Sequence, residues 1–292
     1  MRPGKDDAVK VGTAGRTLAG LILACVLFSA CVSAEKPEPK MTSAEPDRLI
    51  RAGDFEKAID PFKEARRRNP GDRALAAKHL TTVENIKLAA DRAAVNKNYA
   101  LAQAGYQVLR ANYGDFTGFA SKLSFTKRDV EAGIRSCRMN LTEAEFRRTI
   151  ATADYPRALE AYRTIYADYP GDAEIVGRFA GAAGEIRATG ARALDAMDYA
   201  LAGRIHALLL RNYASFEKLM PGVGFSRADL TKAIGVCRVK LTNSGLTEYR
   251  KGNLAKAIAV WESLLAFDPE NTEVKKAVDT AKVQLQEIKK KD

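Results

Sequence analysis

Few residues in this chain have the types and spacing that enzyme chemistry requires. Its two histidines, His79 and His206, lie far apart in the sequence. No CxxC pair, HExxH motif, GxSxG motif or phosphate-binding glycine loop occurs. The acidic pair Glu143 and Glu145 is surrounded by arginines, as is typical of solvated ion pairs on a helix. The sequence therefore predicts no catalytic residues, no metal ligands and no cofactor, in a protein that is not an enzyme.

Cys31 is the residue whose surroundings predict a covalent modification. The apolar run "TLAGLILACVLFSA" follows a basic N-terminus and ends directly before this cysteine. The run is shorter than the roughly 20 residues that a permanent membrane helix needs, and it suits the apolar part of an export signal. Cys25, which follows "ILA", is a poorer candidate for the modification. An ordinary signal peptide with an incidental cysteine is the alternative.

The segment "LFSAC" resembles the lipobox of bacterial lipoproteins, although Phe28 stands where that motif usually has leucine. The resemblance implies a lipoprotein signal peptide over residues 1–30, a lipid on Cys31 and a polar tether over residues 31–46. By the usual sorting pattern, Val32 after the cysteine implies the outer membrane. We therefore expect a lipoprotein of the cell envelope that faces the periplasm.

The chain is strongly basic, with a net charge of +11. Residues 1–30 carry four basic and two acidic residues, so the mature chain would have a net charge near +9. In an exported protein this charge favours an acidic membrane surface, an acidic polymer or an acidic protein as partner, or only solvated helix faces. We do not expect nucleic acid as a partner.

The chain contains a large internal duplication. Residues 97–142 match residues 197–242 at a constant shift of 100. Cys137 and Cys237 are equivalent in this match, so they should lie many ångströms apart in successive modules, whereas a disulfide needs Cα atoms within about 7 Å. We therefore expect two small buried side chains rather than a disulfide.

A shorter unit of ten residues occurs five times. Its second residue is Asp or Asn, which marks a helix N-cap: Asp54, Asn98, Asp154, Asp198 and Asn253. An alanine follows four positions later: Ala58, Ala102, Ala158, Ala202 and Ala257. A ring follows after four more: Phe62, Tyr106, Tyr162, His206 and Trp261.

We call the five equivalent alanines the alanine column and the five equivalent rings the ring column. Both columns lie on one face of a helix that packs against a neighbouring helix. Residues four apart share a face, and helix axes only 8–10 Å apart leave room for a small side chain at the crossing. We expect the alanines at such crossings and the rings in the adjacent layer, so Trp261, the sole tryptophan, is a structural residue. Pro61 lies inside the first of these helices and predicts a bend or a weaker helix.

A longer helical run precedes each unit, so the pattern predicts five hairpins of a long helix, a tight turn and a short helix. This arrangement resembles the tetratricopeptide repeat (TPR), most closely in the last unit, with Gly245, Gly252, Ala257, Trp261 and Pro269. The caps are spaced 44 to 56 residues apart, against about 34 in the family. The resemblance implies an all-α fold over residues 47–292: an α-α superhelix, or solenoid, of about five TPR-like hairpins with lengthened first helices.

Two inserted loops, residues 114–125 and 214–225, are the candidate partner-binding segments. They occupy corresponding places and are rich in Phe, Leu, Met and Gly, and loops on a rigid scaffold often carry binding residues. The candidate residues are Phe116, Phe119, Leu123, Phe216, Leu219 and Met220. The alternative is that the rings fold back over the gaps between hairpins.

The expected function is that of a non-catalytic, lipid-anchored scaffold or adaptor. It would bind other envelope proteins during assembly of a secretion, pilus or export complex. A glycan- or peptidoglycan-binding lipoprotein is the alternative. Exposed, coplanar rings at Phe116, Phe119 and Phe216 would favour a glycan, and an apolar groove would favour a protein.

Overall fold

The computed structural model of the chain describes residues 44–116, 118–219 and 223–290. The predicted signal peptide, Cys31 and the predicted tether up to residue 43 lie outside this range. The last three residues assigned to the tether, 44–46, belong instead to the first helix. The described residues form twelve α-helices and no strand. The helices are Ala44–Ala52 (α1), Phe55–Arg68 (α2), Arg73–Val95 (α3), Tyr99–Asn112 (α4), Lys127–Ala151 (α5), Tyr155–Asp168 (α6), Ala173–Asp195 (α7), Tyr199–Arg211 (α8), Tyr213–Leu219 (α9), Arg227–Arg250 (α10), Leu254–Leu265 (α11) and Thr272–Lys289 (α12).

Long and short helices alternate along the chain. The long helices α3, α5, α7 and α10 have 23 to 25 residues, and the short helices α2, α4, α6, α8 and α11 have 12 to 14. Each packs against its neighbours in the chain, and α8 packs against α10 across the seven-residue α9. The result is a consecutive array of helical hairpins, so the predicted all-α solenoid is confirmed.

Each hairpin turn uses one residue with a left-handed backbone. The φ angles at these residues are +83° at Gly53, +61° at Lys97, +57° at Ala153, +61° at Met197 and +79° at Gly252. The amide of the next residue donates a hydrogen bond of 2.8 to 2.9 Å to the carbonyl five residues back. This bond satisfies a carbonyl at the end of the preceding helix and starts the short helix at a fixed angle.

The predicted N-caps lie where the short helices begin. Asn98, Asp154 and Asp198 each accept a hydrogen bond of 3.0 to 3.3 Å from the backbone N–H three residues on. Asp54 and Asn253 occupy the same position without that bond. Their side chains contact a lysine three residues on and a glutamate five residues back instead.

The alanine and ring columns are buried throughout. The five alanines are at most 1% exposed and the five rings at most 5%. Three of the five rings lie directly on glycines of a long helix. A Cβ on Gly133 would lie 2.8 Å from the ring of Tyr106, one on Gly190 would lie 2.9 Å from the imidazole of His206, and one on Gly245 would overlap the indole of Trp261. The rings therefore act as packing residues at close helix contacts.

The duplication extends further than the matching residues indicate. The bounds of α2 and α6 differ by 100 at both ends, as do those of α3 and α7. Helix α2 continues through Pro61 and is as long as α6, at 14 residues, so the proline does not end it. The repeated module therefore begins at α2 and includes the whole of the first long helix.

Candidate functional site

The two inserted loops turn their aromatic rings into the core. Phe116 ends a 3-10 helix at Tyr113–Phe116, and Phe216 lies in α9. Phe116 and Phe216 are fully buried, and Phe119 is 4% exposed. These three rings are therefore not available at the surface to a partner, contrary to the first expectation. The alternative, in which the rings close the gaps between hairpins, describes them.

Contacts with the long helices explain this burial. Phe116 stacks on Phe119, with ring centroids 5.7 Å apart, and meets His79 of α3 edge to face. Phe216 meets Phe179 of α7 in the same way, at 5.7 Å. Each loop therefore completes the aromatic layer that begins in the long helix of the same module.

The other candidate loop residues, Leu123, Leu219 and Met220, lie in different surroundings. Leu123 is half-buried and packs against the core cluster that contains Phe116 and Phe119. Leu219 is the last residue of α9, and Met220 lies outside the described residues. A flat, exposed platform of Phe116, Phe119 and Phe216, of the kind that stacks against sugar rings, does not form, because all three rings are buried.

The loops end in two matching capping boxes. The backbone N–H of Thr126 donates to the Asp129 carboxylate at 2.7 Å, and that of Ser226 donates to Asp229 at 2.8 Å. These backbone and hydroxyl hydrogen bonds hold the pKa of both aspartates below its usual value. The loops are thus fixed at their C-terminal ends to the long helices α5 and α10.

The two thiols of the described chain are buried in different core clusters. Cys137 is 1% exposed, Cys237 is fully buried, and both are free. Burial raises the pKa of both thiols, that of Cys237 to about 11. Because the thiolate is the reactive form, both are poor nucleophiles near neutral pH.

His206, Glu143 and Glu145 are engaged in local contacts. His206 contacts the carbonyl of Ala202 at 2.7 Å through Nδ1. Glu143 and Glu145 pair with arginines on their own helix, at 2.7 and 2.6 Å. Within the described ranges, no group of three or more His, Cys, Asp and Glu side chains could hold a metal ion.

An apolar groove of about 290 Å³ runs along α8, between the start of α6 and the end of α11. We call it the α8 groove; its lining residues are Ala153, Tyr155, Pro156, Leu201, Arg204, Ile205, Leu208, Arg211, Ala266 and Phe267. Ile205, Leu208 and Phe267 form a buried apolar floor. Arg204 and Arg211 are exposed and lie seven residues apart, which places them two turns apart on one side of α8.

The charge of the α8 groove has one sign. No carboxylate lines it, and neither Arg204 nor Arg211 forms an ion pair with another described residue. The equivalent residues of α4 are Ala104 and Ala111, so the two arginines distinguish the second module from the first. They were not predicted as site residues, and this difference between the copies is the signal that could have found them.

A second groove, of about 530 Å³, lies between α1, α3 and α4. Asp47 and Arg51 of α1 line it together with Arg92 of α3, so both signs of charge are present. Asn85 donates a hydrogen bond of 3.0 Å to Asp47, which ties α1 to α3 at this point. Its lining is mixed, and it gives no clear preference for the charge of a ligand.

None of the helices in the described ranges is long and apolar enough to cross a membrane. No known family model matches the chain, and no curated protein matches it either. Function must therefore be inferred from the geometry and chemistry of the chain itself.

Proposed function

We propose that this chain is a non-catalytic, lipid-anchored scaffold that binds another protein of the bacterial cell envelope through the α8 groove. The observation that carries the proposal is the buried apolar floor of this groove, which lies beside two arginines. Neither arginine has an ion-pair partner among the described residues. The segment "LFSAC" at Cys31 supports the lipid anchor and, with Val32, an outer-membrane location facing the periplasm.

The chemistry of the α8 groove favours one class of occupant. An apolar floor binds the apolar side of an amphipathic segment, as in recognition of a helix by a groove. Arg204 and Arg211 add attraction for carboxylates on the polar side of that segment, and the basic character of the whole chain would speed the encounter. The partner segment is thus acidic and apolar.

The glycan-binding alternative has weaker support. It required exposed rings at Phe116, Phe119 and Phe216, and these rings are buried in the core. The α8 groove has only one aromatic side chain near its rim, Tyr155, which is half-buried. A protein partner is the better fit.

Cross-linking in the cell tests the α8 groove. A photo-reactive amino acid at Ala266, an exposed residue on the rim, should form an adduct whose partner peptide is acidic and apolar. Arg204→Glu and Arg211→Glu should each reduce the adduct roughly tenfold, because like charges meet where opposite charges met before. The adduct is quantified by immunoblot, and its peptide is identified by mass spectrometry.

Arg110→Glu is the matched control, because it makes the same charge change on the exposed end of the equivalent helix α4. This variant should retain the adduct. Equal adduct in the Arg204→Glu and Arg211→Glu variants, or a partner peptide rich in basic residues, would reject the α8 groove as the docking site.

Metabolic labelling tests the anchor. An alkyne-tagged palmitate should label the wild-type chain, and Cys31→Ser should abolish the label, because the thiol that carries the lipid is removed. Cys25→Ser should remain labelled, since it changes the other cysteine of the same apolar run. Undiminished label in Cys31→Ser would show that the lipid is not attached at this residue.

A further inference from the structure

A cavity of about 230 Å³ lies between α2, α3 and the loop that follows α4. We call it the His79 cavity; it is lined by Lys63, Arg66, Arg67, His79, Gly114 and Asp115. It shares no residue with the α8 groove. Its lining includes three cationic side chains and one carboxylate, and so it is net positive.

His79 is an unusual member of this lining. Its ring is 1% exposed, stacks on Phe62 with centroids 5.3 Å apart, and meets the rings of Phe116 and Phe119 edge to face. Neither ring nitrogen has a hydrogen-bond partner among the described residues. A buried polar group without a partner is costly, so a ligand in the cavity that hydrogen-bonds to the ring would relieve this cost.

The second module shows that packing alone does not require a histidine here. The equivalent residue of α7 is Phe179. Its ring stacks on Tyr162 at 6.2 Å and meets Phe216 edge to face at 5.7 Å, which repeats the contacts of His79 with Phe62 and Phe116. A phenyl ring therefore fills this slot, and the imidazole of the first module adds only its two nitrogens.

The arginines of the cavity also belong to the first module alone. Arg66 and Arg67 correspond to Tyr166 and Ala167 in the second. The histidine and both arginines thus occur together in one copy and are replaced together in the other. This joint difference links the imidazole to the positive charge beside it.

Arg66 is the cation best placed to bind a ligand. It donates to the backbone carbonyl of Asp115 at 3.2 Å and lies over the ring of Phe119 at 5.2 Å, which holds its guanidinium at the cavity wall. It forms no ion pair with a described carboxylate. Lys63 is paired with a neighbouring aspartate at 2.9 Å, and Arg67 lies 3.8 Å from a glutamate.

We propose that the His79 cavity binds a phosphate group. The planar guanidinium of Arg66 can donate two parallel hydrogen bonds to phosphate oxygens, and a ring N–H of His79 can donate a third. Asp115 can accept a hydrogen bond from a protonated phosphate oxygen, which a sulfate ion lacks near neutral pH. The small volume suits one such group rather than a whole cofactor.

The protonation of His79 is consistent with this role. Burial, together with the positive charges of Arg66 and Lys63, lowers the pKa of His79 to about 4, and the negative charge of Asp115 opposes this shift. The ring is therefore neutral at pH 7 and carries one N–H donor. A bound phosphate would stabilise the protonated ring and raise this pKa.

The presence of only two histidines makes a direct test possible. The full-length chain, labelled with ¹³C-histidine and held in detergent, is titrated with inorganic phosphate against chloride at equal ionic strength. The ring signals of His79 should shift and saturate, and those of His206 should not. Sulfate should bind more weakly than phosphate.

Arg66→Ala should weaken phosphate binding roughly tenfold or more, because a charge-assisted pair of hydrogen bonds is lost. Arg163→Ala is the matched control, since it removes an exposed arginine from the equivalent surface of α6 and should leave the His79 shift unchanged. Arg66→Lys keeps the positive charge but removes the planar guanidinium with its two parallel donors, and should give an intermediate affinity for phosphate.

Micelles doped with phosphatidic acid, compared with phosphatidylcholine, distinguish two sources of the phosphate group. A His79 shift with phosphatidic acid assigns a lipid headgroup, and a shift with inorganic phosphate alone assigns a soluble ligand. No saturable His79 shift with any of these, or an equal shift in Arg66→Ala, overturns the proposal. Neither result bears on the α8 groove, which the cross-linking experiment tests separately.

Discussion

Trp261→Ala should lower the free energy of unfolding by about 3–5 kcal/mol, the usual cost of deleting a fully packed large aromatic ring. The indole is 3% exposed and lies directly on Gly245. It also contacts the ring of Tyr249 at 5.9 Å, and its Nε1–H donates to the carbonyl of Thr242 at 3.3 Å. Because backbone lines one wall of the slot, the cavity left by the indole cannot collapse easily.

Urea denaturation followed by far-UV circular dichroism measures this loss, since the variant has no tryptophan fluorescence. The midpoint should fall while the slope stays constant. Trp261→Phe is the matched control, because Phe62 fills the equivalent slot of the first hairpin, and it should cost much less. Equal losses in the two variants would mean that ring volume does not set the stability of this contact.

The part of the fold that repeats could be predicted from the sequence. Each short helix buries the same side against its neighbours, so the same requirement for a small residue and a ring recurs five times. The columns that begin at Ala58 and Phe62 are buried in every copy as a result. This repetition allowed the pattern to be recognised from the sequence, although the units are spaced unevenly, 44 to 56 residues apart.

The orientation of the loop rings could not be predicted in the same way. Phe116 lies in a four-residue 3-10 helix and Phe216 in a seven-residue helix, and both are too short to show an amphipathic period. The amino-acid composition of these loops would be the same whether the rings face a partner or the core, so composition does not distinguish the two cases. The contacts with His79 and Phe179, which settle the question, join positions 37 residues apart in each module.

The α8 groove was missed for a similar reason. Its walls come from α6, α8 and the end of α11, and its lining includes Tyr155 and Phe267, which lie more than a hundred residues apart in the sequence. No local pattern records such an arrangement. A comparison of Arg204 and Arg211 with the alanines of the first module would have identified the charged side of the groove, but not its apolar floor.

His79→Phe should stabilise the protein, although it changes a fully buried residue. The substitution removes two nitrogens that lack partners among the described residues and installs the side chain that Phe179 provides in the second module. At pH 7.5 the free energy of unfolding should rise by about 1–3 kcal/mol, the usual penalty for an unsatisfied buried polar group.

The difference in free energy of unfolding between the His79→Phe protein and the wild type should also depend on pH. The pKa of His79 falls from 6.5, its ordinary value, to about 4 in the folded chain, so the folded state binds fewer protons than the unfolded state between these values. The titration of His79 therefore does not affect the free energy of unfolding above about pH 6.5. As the pH falls from there towards 4, it lowers this free energy, because the unfolded state takes up a proton that the folded state does not. The advantage of His79→Phe should grow by about 3 kcal/mol between pH 7.5 and pH 4.

Urea denaturation of both proteins across this range, in one buffer mixture free of phosphate, measures the difference. Phe179→His is the reciprocal control and should destabilise the second module with the same dependence on pH. A less stable His79→Phe protein, or a difference that does not change with pH, would contradict the buried, neutral imidazole. If the phenyl ring does stabilise the fold, the histidine is a residue that the fold alone would not select. Its nitrogens then have a use other than packing, which a phosphate ligand beside Arg66 would provide.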